Sequence, residues 1–221
     1  MIAIELQLRT IENKDWATLI FLATFAMIVV AKSVFEARFY DFVRLVVSTK
    51  YLKIYKDSSH LLSGFNVLLF VVNIVSLSFF IQIVLHHFGY GSKTDWVLFV
   101  QIFTLLSVFI LSKFLVEKII AETFNIEELI EQFNLQKVTY RTYIGLLLLP
   151  VTILLFYSNY ASNSIYLIII SILLVINAIT YLLSLKIYQN LIIPKLFYFI
   201  LYLCALEIAP YYFIYYLITK K

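Results

Sequence analysis

The sequence predicts an all-α integral membrane protein, a bundle of six transmembrane helices with amphipathic cytoplasmic loop helices and both termini outside. Three observations predict it. The chain of 221 residues is 63% hydrophobic and only 14% charged, with a mean hydropathy of +0.95, whereas a soluble domain is about 45–50% apolar and about 25% charged. Six apolar runs stand out, each close to the roughly 20 residues that a helix needs to cross about 30 Å of hydrocarbon. The cations, finally, are distributed unevenly between the two sides that six crossings define.

The runs are Trp16–Phe35, Phe65–Phe88, Trp96–Val116, Tyr143–Tyr160, Ile165–Leu185 and Leu196–Ile218. Trp16 and Trp96 begin their spans, and tyrosines crowd the ends of the later ones, as an interfacial aromatic belt requires. The fourth run is the shortest and carries Pro150. Only Ala161–Ser164 separates it from the fifth, which predicts a tight helical hairpin. Residues 1–15 are too polar and acidic for a cleavable signal peptide. They are expected as a short periplasmic segment ahead of a single transmembrane domain, 16–221.

With the N-terminus outside, twelve of the seventeen Lys and Arg residues fall on inner loops or adjoining helix ends: Lys32, Arg38, Arg44, Lys50, Lys53, Lys56, Lys113, Lys118, Lys137, Arg141, Lys186 and Lys195. Arg9, Lys14, Lys93, Lys220 and Lys221 remain outside. Positive charge concentrates on the cytoplasmic side of membrane proteins, so the count predicts both termini outside. The same rule accounts for the net charge of +4 without nucleic acid, which is not an expected partner.

The inner loops are expected at about 36–64, 117–142 and 186–195. The first interleaves cations with Phe39, Phe42, Val43, Val46 and Val47, a spacing that suits a helix lying on the inner leaflet against anionic headgroups. Membrane lipids are thus expected partners. The second is acidic through Glu117, Glu122, Glu127, Glu128 and Glu131, with apolar residues at Ile119, Ile120, Phe124, Ile130 and Phe133 near helical spacing. Such a stretch is either a solvated connector or a docking surface, and Glu122, Glu127, Glu128 and Glu131 are the partner-docking candidates.

Chemistry has few places to sit. Cys204 is the single cysteine, which excludes an internal disulfide or a cysteine-based metal cluster. His60, His86 and His87 lack metal-ligand spacing, and Lys113 and Glu117 are placed to pair at i, i+4. There is no G-x-S-x-G, H-E-x-x-H or Walker sequence, and four glycines leave no phosphate-cradling loop. Neither an enzyme, a metal nor a cofactor is expected.

The exception is the last run. Glu207 falls near its middle, where a charged carboxylate costs about 2.5–3.5 kcal/mol. Three residues on, Pro210 has no backbone N–H, so the Leu206 carbonyl loses its intrahelical donor. Glu207 could bind a proton or ion, or could hold the bundle together through a hydrogen bond worth about 1 kcal/mol. Asn177 in the fifth span is its first expected partner by depth; Asn73 in the second lies nearer the inner side.

The stretch LYLCALEIAP, Leu201–Pro210, resembles a family of Bacteroidetes integral membrane proteins catalogued as a domain of unknown function. Asp15-Trp16, Arg38-Phe39, Ser48–Tyr51 and Arg141-Thr142-Tyr143 with Gly145 and Pro150 are similar to it as well. The resemblance implies an inner-membrane location and draws attention to Cys204, Glu207 and Pro210; it supplies no activity. The expectation is a non-enzymatic inner-membrane subunit or assembly factor of a multiprotein bacterial cell-envelope complex, serving protein secretion or energised transport. The alternative is a small proton- or ion-coupled transporter centred on Glu207.

Overall fold

The structure is a computed structural model and describes residues 14–46, 51, 63–124, 126–158, 163–187, 200, 212 and 216. Most of the sixth apolar run, with Cys204, Glu207 and Pro210, thus lies outside the described residues, as does His60. What is described is helical: α1 (Asp15–Val34), α2 (Glu36–Val43) followed by a short 3-10 turn, α3 (Gly64–His87), α4 (Trp96–Thr123), α5 (Glu127–Tyr157) and α6 (Asn163–Ile187). All but α2 are long and apolar enough to cross a membrane. The chain is a multi-pass α-helical membrane protein. Helices are the form such segments take because lipid offers no partner for backbone N–H and C=O groups.

The element ends follow local chemistry. Asp15 stands in the first turn of α1 and Lys32 in its last, each matching the helix dipole. Asp95 caps α4, its Oδ1 accepting from Val97 N at 2.9 Å and Leu98 N at 3.4 Å. The turn between α3 and α4 passes through Gly91 at φ 110°, a conformation that side chains disfavour.

Two spans are longer than their apolar runs. The acidic stretch 117–142 is not a separate surface helix: its first seven residues end α4 and its last sixteen begin α5. The reason is burial, since Ile126, Ile130 and Phe133 sit at 1–2% exposure inside the chain's own bundle and so continue the span inward. At 1.5 Å per residue α5 is about 46 Å long, some 16 Å more than the hydrocarbon it crosses. It also runs uninterrupted through Pro150.

The helix α3 is the centre of the bundle. It packs on α1, α4 and α5, and α5 in turn carries α6 on its far side. The face of α1 that meets it is a single stripe, Ala17, Phe21, Thr24 and Ala31, at the spacing of one helical side. Aromatic side chains lock the end near the α3–α4 turn. Phe79 stacks on Phe21 at 4.2 Å and lies 4.4 Å from Phe99, while Trp16 meets Trp96 edge-on at 5.1 Å. Trp16 Nε1 also donates to the Thr94 carbonyl at 3.2 Å. At the opposite end a second cluster gathers Phe42, Leu45, Tyr51, Phe65 and Leu69, which seats α2 on the bundle rather than leaving it on a lipid surface alone.

Candidate functional site

Polar groups inside the bundle are the features that packing alone does not explain, because each costs free energy in hydrocarbon unless another group satisfies it. Four places hold several of them together or against a cavity.

The first is at the α2 end. Arg38, 8% exposed, donates from Nη1 to Ser63 Oγ at 2.7 Å, from Nε to the Tyr51 hydroxyl at 3.3 Å and from Nη2 to Asn66 Oδ1 at 3.4 Å. Its guanidinium lies 5.1 Å from the Phe65 ring centroid, a cation–π arrangement. One planar cation therefore ties α2 to the first turn of α3.

The second is an ion cluster where α4 and α5 meet. Glu117 is 3% exposed. Lys113 stands 4.0 Å away on the same helix, as the i, i+4 spacing predicts, but the closer cation is Lys137 at 3.2 Å from α5. The pair that matters is the one between helices.

The third is the contact of α3 with α5. Asn73 is 1% exposed and faces Gly145 so closely that a methyl group there would overlap the Asn73 amide and stand 3.0 Å from Asn73 Cα. Glycine is what lets the two backbones approach. On the same two helices Asn73 Oδ1, Ser76 Oγ, Asn134 Oδ1 and both polar atoms of the Gln136 amide find no hydrogen-bond partner among the described residues; Asn134 and Gln136 stand about two to three turns along α5 from Gly145. Gln82, fully buried on α3, is satisfied at its nitrogen only: Nε2 donates to the carbonyls of Asp95 at 2.7 Å and Ser92 at 3.3 Å, while Oε1 meets no partner among the described residues.

The fourth lies between α5 and α6. A cavity of about 200 Å³ is lined by Lys137 and Arg141 from α5 and by Asn177, Thr180 and Ser184 from α6. Asn177 is exposed at mid-helix and its Nδ2 donates back to the Leu173 carbonyl at 2.8 Å.

The sequence-predicted residues are thus dispersed. Asn73 is buried at the α3–α5 contact and Asn177 is exposed at the cavity between α5 and α6; the two are not brought together. Glu122 and Glu127 are exposed, Glu131 is half-buried, and the Glu128 side chain lies outside the described residues. The pairing of Glu207 with Asn177 also falls outside them. His86 Nδ1 is 2.9 Å from the Gly91 carbonyl, and His87 lies against the Tyr166 ring at 4.3 Å, so both are engaged at the helix end. Sequence reasoning passed over Gln82 and Gln136. A glutamine inside an apolar run was the available signal for Gln82. Gln136 had none, since it sits in a polar stretch.

No curated protein and no solved structure matches the chain. A family model does, over residues 17–218, which takes in every span and all four polar places described above. The chain belongs to that family, the Domain of unknown function (DUF4271).

Proposed function

We propose that this chain is a non-enzymatic subunit or assembly factor of a multiprotein complex in the bacterial inner membrane, with both termini periplasmic. The observation that carries the reading is the outer face of α4. That helix has only 6% of its most apolar stretch buried, yet its exposed face holds Gln101 and Thr104 together with Val97, Val108 and Leu115. Gln101 lies about 8 Å below Trp96 at 1.5 Å per residue, inside the hydrocarbon. A carboxamide facing lipid there is costly, whereas one facing a partner helix makes an interhelical hydrogen bond worth about 1 kcal/mol. The exposed carboxylate of Glu122 continues the same helix face toward its C-terminal end.

A photoreactive amino acid at position 101, activated in native membranes, tests this directly. The reading expects adducts with a second protein, lost when Gln101 and Thr104 are both replaced by Leu. Adducts to lipid alone, or only within the chain, would sink it.

A second reading, a proton- or ion-coupled transporter centred on Glu207, is favoured by the polar atoms of Asn73, Ser76, Asn134 and Gln136 that meet no protein partner among the described residues. Buried polar groups of that kind hold water or ions. It expects Glu207→Gln to abolish ion flux in vesicles while the protein remains folded.

A further inference from the structure

The cavity between α5 and α6 does not end at its polar residues. Tyr140 and Thr180 line it and also line a second, larger space of about 480 Å³. That space is a groove walled by Ile144, Leu147 and Val151 of α5 and Ile169, Ile172 and Leu173 of α6. A recess with a cationic, hydroxyl-bearing end therefore adjoins an apolar body across Tyr140 and Thr180.

Its depth is informative. Counting back from Tyr157, the end of α5, Lys137 is twenty residues away, or about 30 Å along the helix. That is the full thickness of the hydrocarbon core. The polar end thus stands at the headgroup level on the α2 side of the membrane, and the apolar body runs from there toward the middle. Charge points the same way. Arg141 lines the polar end beside Lys137, and no protein group among the described residues pairs with the Arg141 guanidinium.

We propose that this recess is a binding site for an anionic phospholipid of that leaflet, with its phosphate on Arg141 and Lys137 and an acyl chain along the groove. Basic pockets between transmembrane helices take anionic headgroups in this way, and the planar guanidinium suits a phosphate bidentately. The second N–H of the Asn177 amide, whose first is held by the Leu173 carbonyl, supplies a further donor. A wholly apolar transmembrane helix lying across both spaces is the poorer occupant, because it would bury the Arg141 charge without a counter-ion. The proposal is independent of whether the chain works within a complex.

Native mass spectrometry of the intact chain in detergent, titrated with phosphatidylglycerol and phosphatidylcholine, reads the site. The expected result is selective retention of phosphatidylglycerol. Arg141→Gln should weaken it about tenfold or more, the worth of one charge-assisted hydrogen bond. Ile172→Trp, which fills the apolar body and leaves the cations in place, should weaken it as well. Equal retention of the two lipids, or an unchanged affinity in Arg141→Gln, overturns the proposal. So does displacement of the lipid by inorganic phosphate with Ile172→Trp unaffected, since that marks a free-anion site. In the wild-type sequence otherwise, a diazirine amino acid at position 172 should label lipid; labelling of polypeptide instead means that a helix occupies the groove.

Discussion

The helices α3 and α6 are nearly the same length, 24 and 25 residues, and their most apolar stretches have the same mean hydropathy, 2.5. Yet 61% of that stretch is buried in α3 and 6% in α6. Hydropathy therefore says that each enters the membrane and nothing about where in the bundle it sits. Lipid tails are as apolar as leucine, so apolar surface gains little by moving from lipid to protein; close packing and polar pairing decide. In α3 these come from the close approach of Asn73 to Gly145, from Gln82, which donates to the Asp95 carbonyl, and from Phe79, all three at 0–1% exposure. In α6 the corresponding mid-helix positions, Leu174, Val175 and Ile176, are all exposed.

The largest expected effect is at the centre of α3. Phe79→Ala removes a ring that touches Phe21, Phe99 and Phe156, and should cost about 3–5 kcal/mol, the range for a buried aromatic. Equilibrium unfolding in mixed micelles measures it; a loss no larger than that at an exposed position would break the comparison. Next comes Gly145→Ala, whose added methyl meets both the Asn73 amide and its Cα. It should destabilise by about 1–3 kcal/mol, and adding Asn73→Ala should recover part of the loss while the backbone contact keeps the remainder. A full recovery would show that the side chain alone limits the approach. The smallest effect belongs to α6: Leu174→Ala, at a position 66% exposed, should stay within about 0.5 kcal/mol. A larger change there would mean that α6 is covered by protein.

The same contrast explains what was legible beforehand. The starts of the described spans were readable from Trp16, Phe65, Trp96 and Ile165, because the transition from polar to apolar is a local property. The true length of α4 and α5 was not. Residues 117–142 have the composition of a loop, and only the burial of Ile130 and Phe133 against the bundle reveals them as helix ends. Lys113 and Glu117 were readable as a pair from their spacing; Lys137, the nearer partner, is twenty residues distant and carries no local mark of it.

By itself, then, the sequence determined the solvent and the form: a chain this apolar must be in lipid, and in lipid its backbone must satisfy itself as helices. It also marked Asn73 and Asn177 as polar groups within apolar spans. Only the tertiary structure decided the partners: Ser63 for Arg38, Gly145 for Asn73, Lys137 for Glu117, the Asp95 carbonyl for Gln82. It alone brought Arg141 of α5 opposite Thr180 of α6. The physical reason is that hydropathy is a sum over neighbours in the chain, whereas helix pairing in a membrane depends on shape and hydrogen bonding between segments far apart in it.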